Sequence, residues 1–206
     1  MEDLRSLKEN QLDALREVAN IGAGHAATAL SVMIGSTIMI SVPHINVARL
    51  DEMPPIVAAP EEPVAAVLLR MLGDLTGRTL LVFPHAAAMR LSEMLLHRPL
   101  GSSSQLGELE QSAIKEAGNI LSSAYMNALS DFMGMRLLPS PPSLSVDTST
   151  AVLSSDHLQF GTDRDYVFCV ESEFVMKGVA NPLRGYFLLL PDRESLVAIL
   201  RAIGLA

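Results

Sequence analysis

Cysteine is nearly absent from this chain of 206 residues. Cys169 stands alone, so neither an internal disulfide nor a cysteine-built zinc site can form. Charge is sparse as well, at 18%, and it leans acidic, with a formal net charge of −8 and no cluster of Lys or Arg. Nucleic acid is thereby excluded as the main partner, because phosphate binding needs concentrated basic residues. From Val18 to Ala48 no Asp, Glu, Lys or Arg occurs. That run is made largely of small residues, contains Asn20 and His25, and is broken at Gly35 and Pro43, whereas a spanning helix needs about 20 strongly apolar residues in succession. No membrane insertion is expected. The opening Met1-Glu2-Asp3-Leu4-Arg5 is acidic and amphipathic, unlike the basic start of a signal peptide, so a cytoplasmic protein is expected.

Several catalytic signatures are missing too. There is no G-x-S-x-G, no P-loop, and no H-E-x-x-H spacing among the five histidines, so no metal site is expected. Gly22-Ala23-Gly24-His25-Ala26-Ala27 fits G-x-G-x-x-A, but that fingerprint requires a preceding strand, and here the preceding residues form an amphipathic helix. These small residues read instead as permitting close packing. Cys169 lies in a strand-like run, where a buried structural thiol is the usual case.

What the chain has is apolar residues, at 49%, and a repeat. At this length folding buries about 70% of the unfolded surface, so a core needs no staples. Leu15-Arg16-Glu17-Val18-Ala19-Asn20-Ile21 lines up with Ile114-Lys115-Glu116-Ala117-Gly118-Asn119-Ile120 at an offset of 99. The same offset carries Asp13 to Ser112 and Pro43 to Pro142. The first half predicts a helix from about Leu4 to Ile34, short strands over Ser36–Val42 and Ile45–Val47, and a hairpin of Val64–Leu72 with Thr79–Phe83. A helix from Pro84 to about His97 closes that half. The second half predicts a helix from about Gly107 to Phe132, strands around Met135–Leu138, Ser143–Asp147, Tyr166–Met176 and Gly185–Leu190, and a last helix from Pro191-Asp192 to about Ile203. Arg98–Gly107 is the joint. Halves of about 1–98 and 99–206 would each leave sheet uncovered. The expected fold is therefore α+β: one domain, 1–206, of two pseudo-symmetric halves sharing a mainly antiparallel sheet, with two equivalent surface helices.

Each repeated helix presents a small polar face. With Asp13 at zero on a wheel of about 100° per residue, Glu17 falls at about 40° and Asn20 at about −20°. Leu15, Val18 and Gly22 fall on the opposite side. Ser112, Glu116 and Asn119 repeat the arrangement, backed by Ile114, Ala117 and Leu121. A solvated amphipathic face accounts for the glutamates. Asn is harder to explain, because it costs roughly 0.5 kcal/mol relative to Ala inside a helix, and it occurs twice at matched positions. Duplication alone can copy residues, so the bland reading stands as an alternative. The chemical reading is that the carboxylate docks a partner and the carboxamide, a donor and acceptor without useful basicity, orients a water for in-line attack on phosphorus.

The pattern Asp/Ser-x-x-x-Glu-x-x-Asn, followed after twenty-two residues by Pro, resembles the signature of the CheC/CheX/FliY family of chemotaxis phosphatases. It occurs as Asp13, Glu17, Asn20, Pro43 and as Ser112, Glu116, Asn119, Pro142. The flanking Asn20-Ile21-Gly22-Ala23-Gly24 and Asn127-Ala128-Leu129-Ser130-Asp131-Phe132 are similar to CheC. Two motif copies in a chain of this length favour the CheC branch over FliY-like members, which usually carry an added domain, and over CheX-like members, which keep one copy. His25 stands where the family often has Asn, and Val18-Ala19 replaces the more usual Ile-Gly; both lie off the motif. The resemblance implies hydrolysis of the phospho-aspartate of a CheY-like response regulator. In the family Glu (Glu17, Glu116) bridges to a regulator lysine, and Asn (Asn20, Asn119) positions water without a covalent intermediate. Asp13 and Ser112 are expected to be secondary contacts, either helix-stabilising or partner-facing, and Pro43 and Pro142 to fix the turn after the strand beneath each helix. It implies no cofactor of the chain's own, with Mg2+ belonging to the regulator, and CheD as a further partner that members often bind. A non-catalytic adaptor holding CheD or a flagellar switch component is the alternative. A monomer is expected, since a duplicated chain supplies internally the symmetry a dimer would provide.

Overall fold

Helix, two short strands, a small helix, two long strands, helix: the chain runs through this order twice. The computed structural model describes residues 9–41, 43–154, 166–176 and 181–202. In the first pass these are α1 (Glu9–Ile34), β1 (Ile38–Ile40), β2 (His44–Arg49), α2 (Pro54–Val57), β3 (Pro63–Gly73), β4 (Gly77–Pro84) and α3 (His85–Leu95). The second pass gives α4 (Glu108–Met133), β5 (Leu137–Pro139), β6 (Ser143–Thr148), α5 (Ser149–Leu153), β7 (Tyr166–Met176), β8 (Leu183–Pro191) and α6 (Arg193–Ala202). The expected helix start over Leu4–Lys8, Val42, His157 and Ile203 lie outside the described residues.

α1 and α4 are both 26 residues long and stop in the same way. Gly35 and Gly134 adopt left-handed φ of 69° and 62°, a conformation cheap only for glycine. Beyond them Ser36 N–H reaches back to the Ser31 carbonyl, and Met135 N–H to the Ser130 carbonyl, each at 3.2 Å. This turn delays the following strand, so β1 and β5 begin at Ile38 and Leu137 and not at the expected Ser36 and Met135. α3 ends at Leu95, short of His97, because His97 takes a left-handed φ of 53°. Pro84 is the residue ahead of α3 and the last of β4, not its first helical position. α2 and α5, which the sequence pattern does not predict, are single turns too short to show a period.

The halves are interlocked through the sheet. β3, β4, β8 and β7 form its antiparallel centre, with β4 paired to β8 across the midline. The short strands then cross over. β1 and β2 of the first half pair with β7 of the second, while β5 and β6 pair with β3. Each half lends its short strands to the other, which is why neither would be complete alone.

Both sheet faces are covered, and side chains alternate between them with the period of two. Val67, Leu69, Leu81, Phe83, Phe168, Val170, Phe187 and Leu189 face the main core beneath α1, α3, α4 and α6. Val64, Ala66, Leu80, Val82, Val167, Cys169, Leu188 and Leu190 face a second core with Met53, Val57, Val152 and Leu153, where α2 and α5 lie. Burial, with Glu171 adding like charge, pushes the Cys169 thiol up to about 12, so it stays protonated and packs as an apolar group. The joint between halves is ordered by Glu93, whose buried carboxylate accepts N–H bonds from Gly101 at 2.8 Å and Ser103 at 2.7 Å. Burial tends to raise this carboxyl, but the N–H donors outweigh it and hold it below the ordinary glutamate range. Arg98 pairs with Glu110 across the same joint.

Candidate functional site

The two helices turn their apolar stripes inward, and this places the polar triads outside. On α1, Leu15, Val18, Ala19, Ala23, Ala26 and Leu30 are buried, while Asp13, Glu17 and Asn20 are exposed. On α4, Ile114, Ala117, Leu121 and Ala124 are buried; Ser112 and Glu116 are exposed, and Asn119 is half-buried. α4 packs against both α1 and α3. Helical spacing brings each triad onto one ridge.

Within each triad, one residue differs in its local partners. Asp13 accepts from Arg16 at 2.7 Å, an exposed i,i+3 ion pair of the kind that contributes little to stability. Ser112, its counterpart, has Lys115 at the matching spacing in sequence without such a bond. Among the described residues, no hydrogen bond or ion pair engages the side chains of Glu17, Asn20, Glu116 or Asn119. Their donors and acceptors are left to solvent or to a partner. Pro43 and Pro142 lie off the helices, each immediately ahead of the second short strand of its half, with Pro43 buried and Pro142 half-buried.

Beneath α1 the contact with α4 is tight. A Cβ on Gly22 would lie 2.6 Å from Cδ1 of Tyr125, so only glycine allows this approach. Tyr125 stacks on Phe187 with centroids 4.5 Å apart, and its hydroxyl meets Ser172 Oγ at 3.0 Å. Gly118 of α4 approaches Val67 of β3 as closely, its Cβ position lying 2.6 Å from the valine Cβ. Gly24 differs: it is exposed, and a Cβ there would meet nothing within 4 Å. The close-packing reading therefore holds for Gly22 and fails for Gly24. In the sequence both are simply glycines inside a helix, with no signal to tell them apart.

An apolar cavity of about 40 Å³ lies under α1, lined by residues such as Leu15, Ala19, Met126 and Phe168, and it offers no polar group. A wider hollow of about 540 Å³ opens at the joint, among Arg98, Ser102, Ser104 and Glu110. Among the described residues, no three His, Cys, Asp or Glu side chains are grouped to hold a metal ion. His25 is exposed on α1. No described helix is long and apolar enough to cross a membrane. No residue of either triad lines the cavity or the hollow.

The sequence profile of the CheC-like family matches residues 11–47 and 109–146, the two segments that hold the triads and the prolines. The chain is 33% identical over 206 residues, 99% of each protein, to the CheY-P phosphatase CheC of Bacillus subtilis. It is 26% identical over 157 residues to the flagellar motor switch phosphatase FliY of the same organism, covering 76% of this chain and 41% of that one. Its fold is shared with the crystal structure of Thermotoga maritima FliY, with a TM-score of 0.80 at 20% identity, over 96% of this chain and 98% of that one. With two motif-bearing segments matched and a relative one-third identical from end to end, the chain belongs to the CheC-like family.

Proposed function

We propose that this protein is a phosphatase that hydrolyses the phospho-aspartate of a CheY-like response regulator. The observation that carries the reading is the doubled ridge of outward Glu and Asn with no internal partners among the described residues. The end-to-end likeness to a CheY-P phosphatase supports it. An aspartyl phosphate is an acyl phosphate. Water attacks the phosphorus in line, the bond from phosphorus to the acyl oxygen breaks, and the products are the free carboxylate and inorganic phosphate. The transition state is loose, so a catalyst contributes mainly by positioning. Asn20 or Asn119 accepts from the attacking water through its carbonyl oxygen while its NH2 group donates to the phosphoryl side. Glu17 or Glu116, one turn earlier, binds a cation on the regulator and fixes the approach of the helix. Charge on the phosphoryl oxygens is balanced by Mg2+ held in the regulator.

Release of phosphate from phosphorylated Bacillus subtilis CheY by the native chain and by the Asn20→Ala/Asn119→Ala variant tests this. Turnover should fall on the order of 10²-fold in the variant, the scale of losing one well-placed orienting group. Unchanged turnover would discard the mechanism. Partner capture with no acceleration by the native chain would instead assign an adaptor role.

A further inference from the structure

Three glycines lie inside the two long helices, and two of them answer to packing within the chain. Gly22 makes room for Tyr125 and Gly118 for Val67. Gly24 makes room for nothing in the described chain, and its helical backbone does not need a glycine's freedom. Glycine is among the least favourable residues in a helix interior, so the omission of a side chain here works against the helix. The Thr28 hydroxyl donates to the Gly24 carbonyl at 2.9 Å, an i−4 bond that does not compensate for the missing side chain. The position is specific: Gly24 follows Asn20 by four residues and Glu17 by seven, on the same exposed line. Its counterpart in the second copy, Ser123, carries a side chain and is half-buried.

We infer that Gly24 is a positioning residue, the point where the main chain of the phosphorylated CheY-like regulator lies against α1, one turn beyond the water-orienting amide. The inference rests on the function proposed above. The missing Cβ lets the regulator's backbone settle close enough for Asn20 to reach the phosphoryl group. A methyl group there holds that backbone away by about an ångström, a displacement that can cost on the order of 10²-fold in rate. Ser123 gives the second copy less clearance, so the two ridges receive the same partner differently.

The test is Gly24→Ala, with Gly24→Ser beside it, each in an Asn119→Ala background so that only the first ridge acts. Phosphate release from phosphorylated Bacillus subtilis CheY is followed together with binding of beryllofluoride-activated CheY and the thermal midpoint. Gly24→Ala should raise the midpoint by about 2–4 °C, as expected of a helical Gly→Ala change in a domain of this size. It should also lower kcat/KM about tenfold or more and weaken binding, with Gly24→Ser lower still. A gain in stability with a loss of turnover is the signature that a structural role would not give. Unchanged turnover overturns the inference, as does a loss accompanied by a lowered midpoint. Native-like turnover in Asn20→Ala/Asn119→Ala sinks the proposed mechanism instead, whatever the Gly24 variants do.

Discussion

α1 and α4 carry the same Glu and Asn on helices of equal length, with Asp13 of the first replaced by Ser112 in the second, and their surroundings differ further. Asn20 stands clear on an outer helix, while Asn119 is half-covered on a helix wedged between two others. The first ridge continues through Gly24 and Thr28; the second continues through Ser123 and Asn127. Beneath them the asymmetry is larger. Tyr125 of α4 fills the space under Gly22, whereas its counterpart on α1 is Ala26, fully buried. The repeat therefore preserves chemistry at two positions, the Glu and the Asn, while letting the packing that presents them diverge. The central helix is constrained from more sides, and its ridge is the less accessible of the two.

Removing the anchor between the helices is expected to have the largest effect. Tyr125→Ala deletes a stacked ring, its bond to Ser172 and the filler under Gly22, and should destabilise the fold by about 3–5 kcal/mol in chemical denaturation. Ala26→Gly, the matched change on α1, should cost far less; equal losses would mean that the packing asymmetry has no energetic weight. Next come the single amide variants. Asn20→Ala should lower phosphate release by about tenfold, and Asn119→Ala by less, because the half-buried amide has the poorer access. The reverse order would show that α4 presents the working ridge. Smallest is the effect of Asp13→Ala, which breaks the exposed pair with Arg16 and should change stability by roughly 0.2–0.5 kcal/mol, with Ser112→Ala unchanged within error. A marked loss of activity from Asp13→Ala at unchanged stability would move that carboxylate from helix support to partner contact.

Much of this was legible in the amino-acid order because it is local. The apolar stripe of Leu15 and Val18, and that of Ile114, Ala117 and Leu121, is enough to orient both triads outward. The long strands announce themselves through unbroken apolar runs such as Phe187-Leu188-Leu189-Leu190 in β8. The exchange of short strands was not legible. Repetition reveals which elements exist, but β1 and β2 carry nothing local that selects β7 over β3, since both long strands offer similar apolar faces. α2 and α5 escaped because four or five residues cannot display a helical period. Likewise Gly22 and Gly24 look alike in sequence and differ only in what stands opposite them. The half-burial of Asn119, beside the exposure of Asn20, has no sign in the local sequence, which matches at the two sites.

The crossing of the short strands has a consequence for how the protein is made. His44 finds its partner in Glu171, and Arg49 in Tyr166, so most of the polypeptide must leave the ribosome before the first pair of strands has anywhere to go. A chain interrupted before β7 would leave β1 and β2 without the strand they pair with.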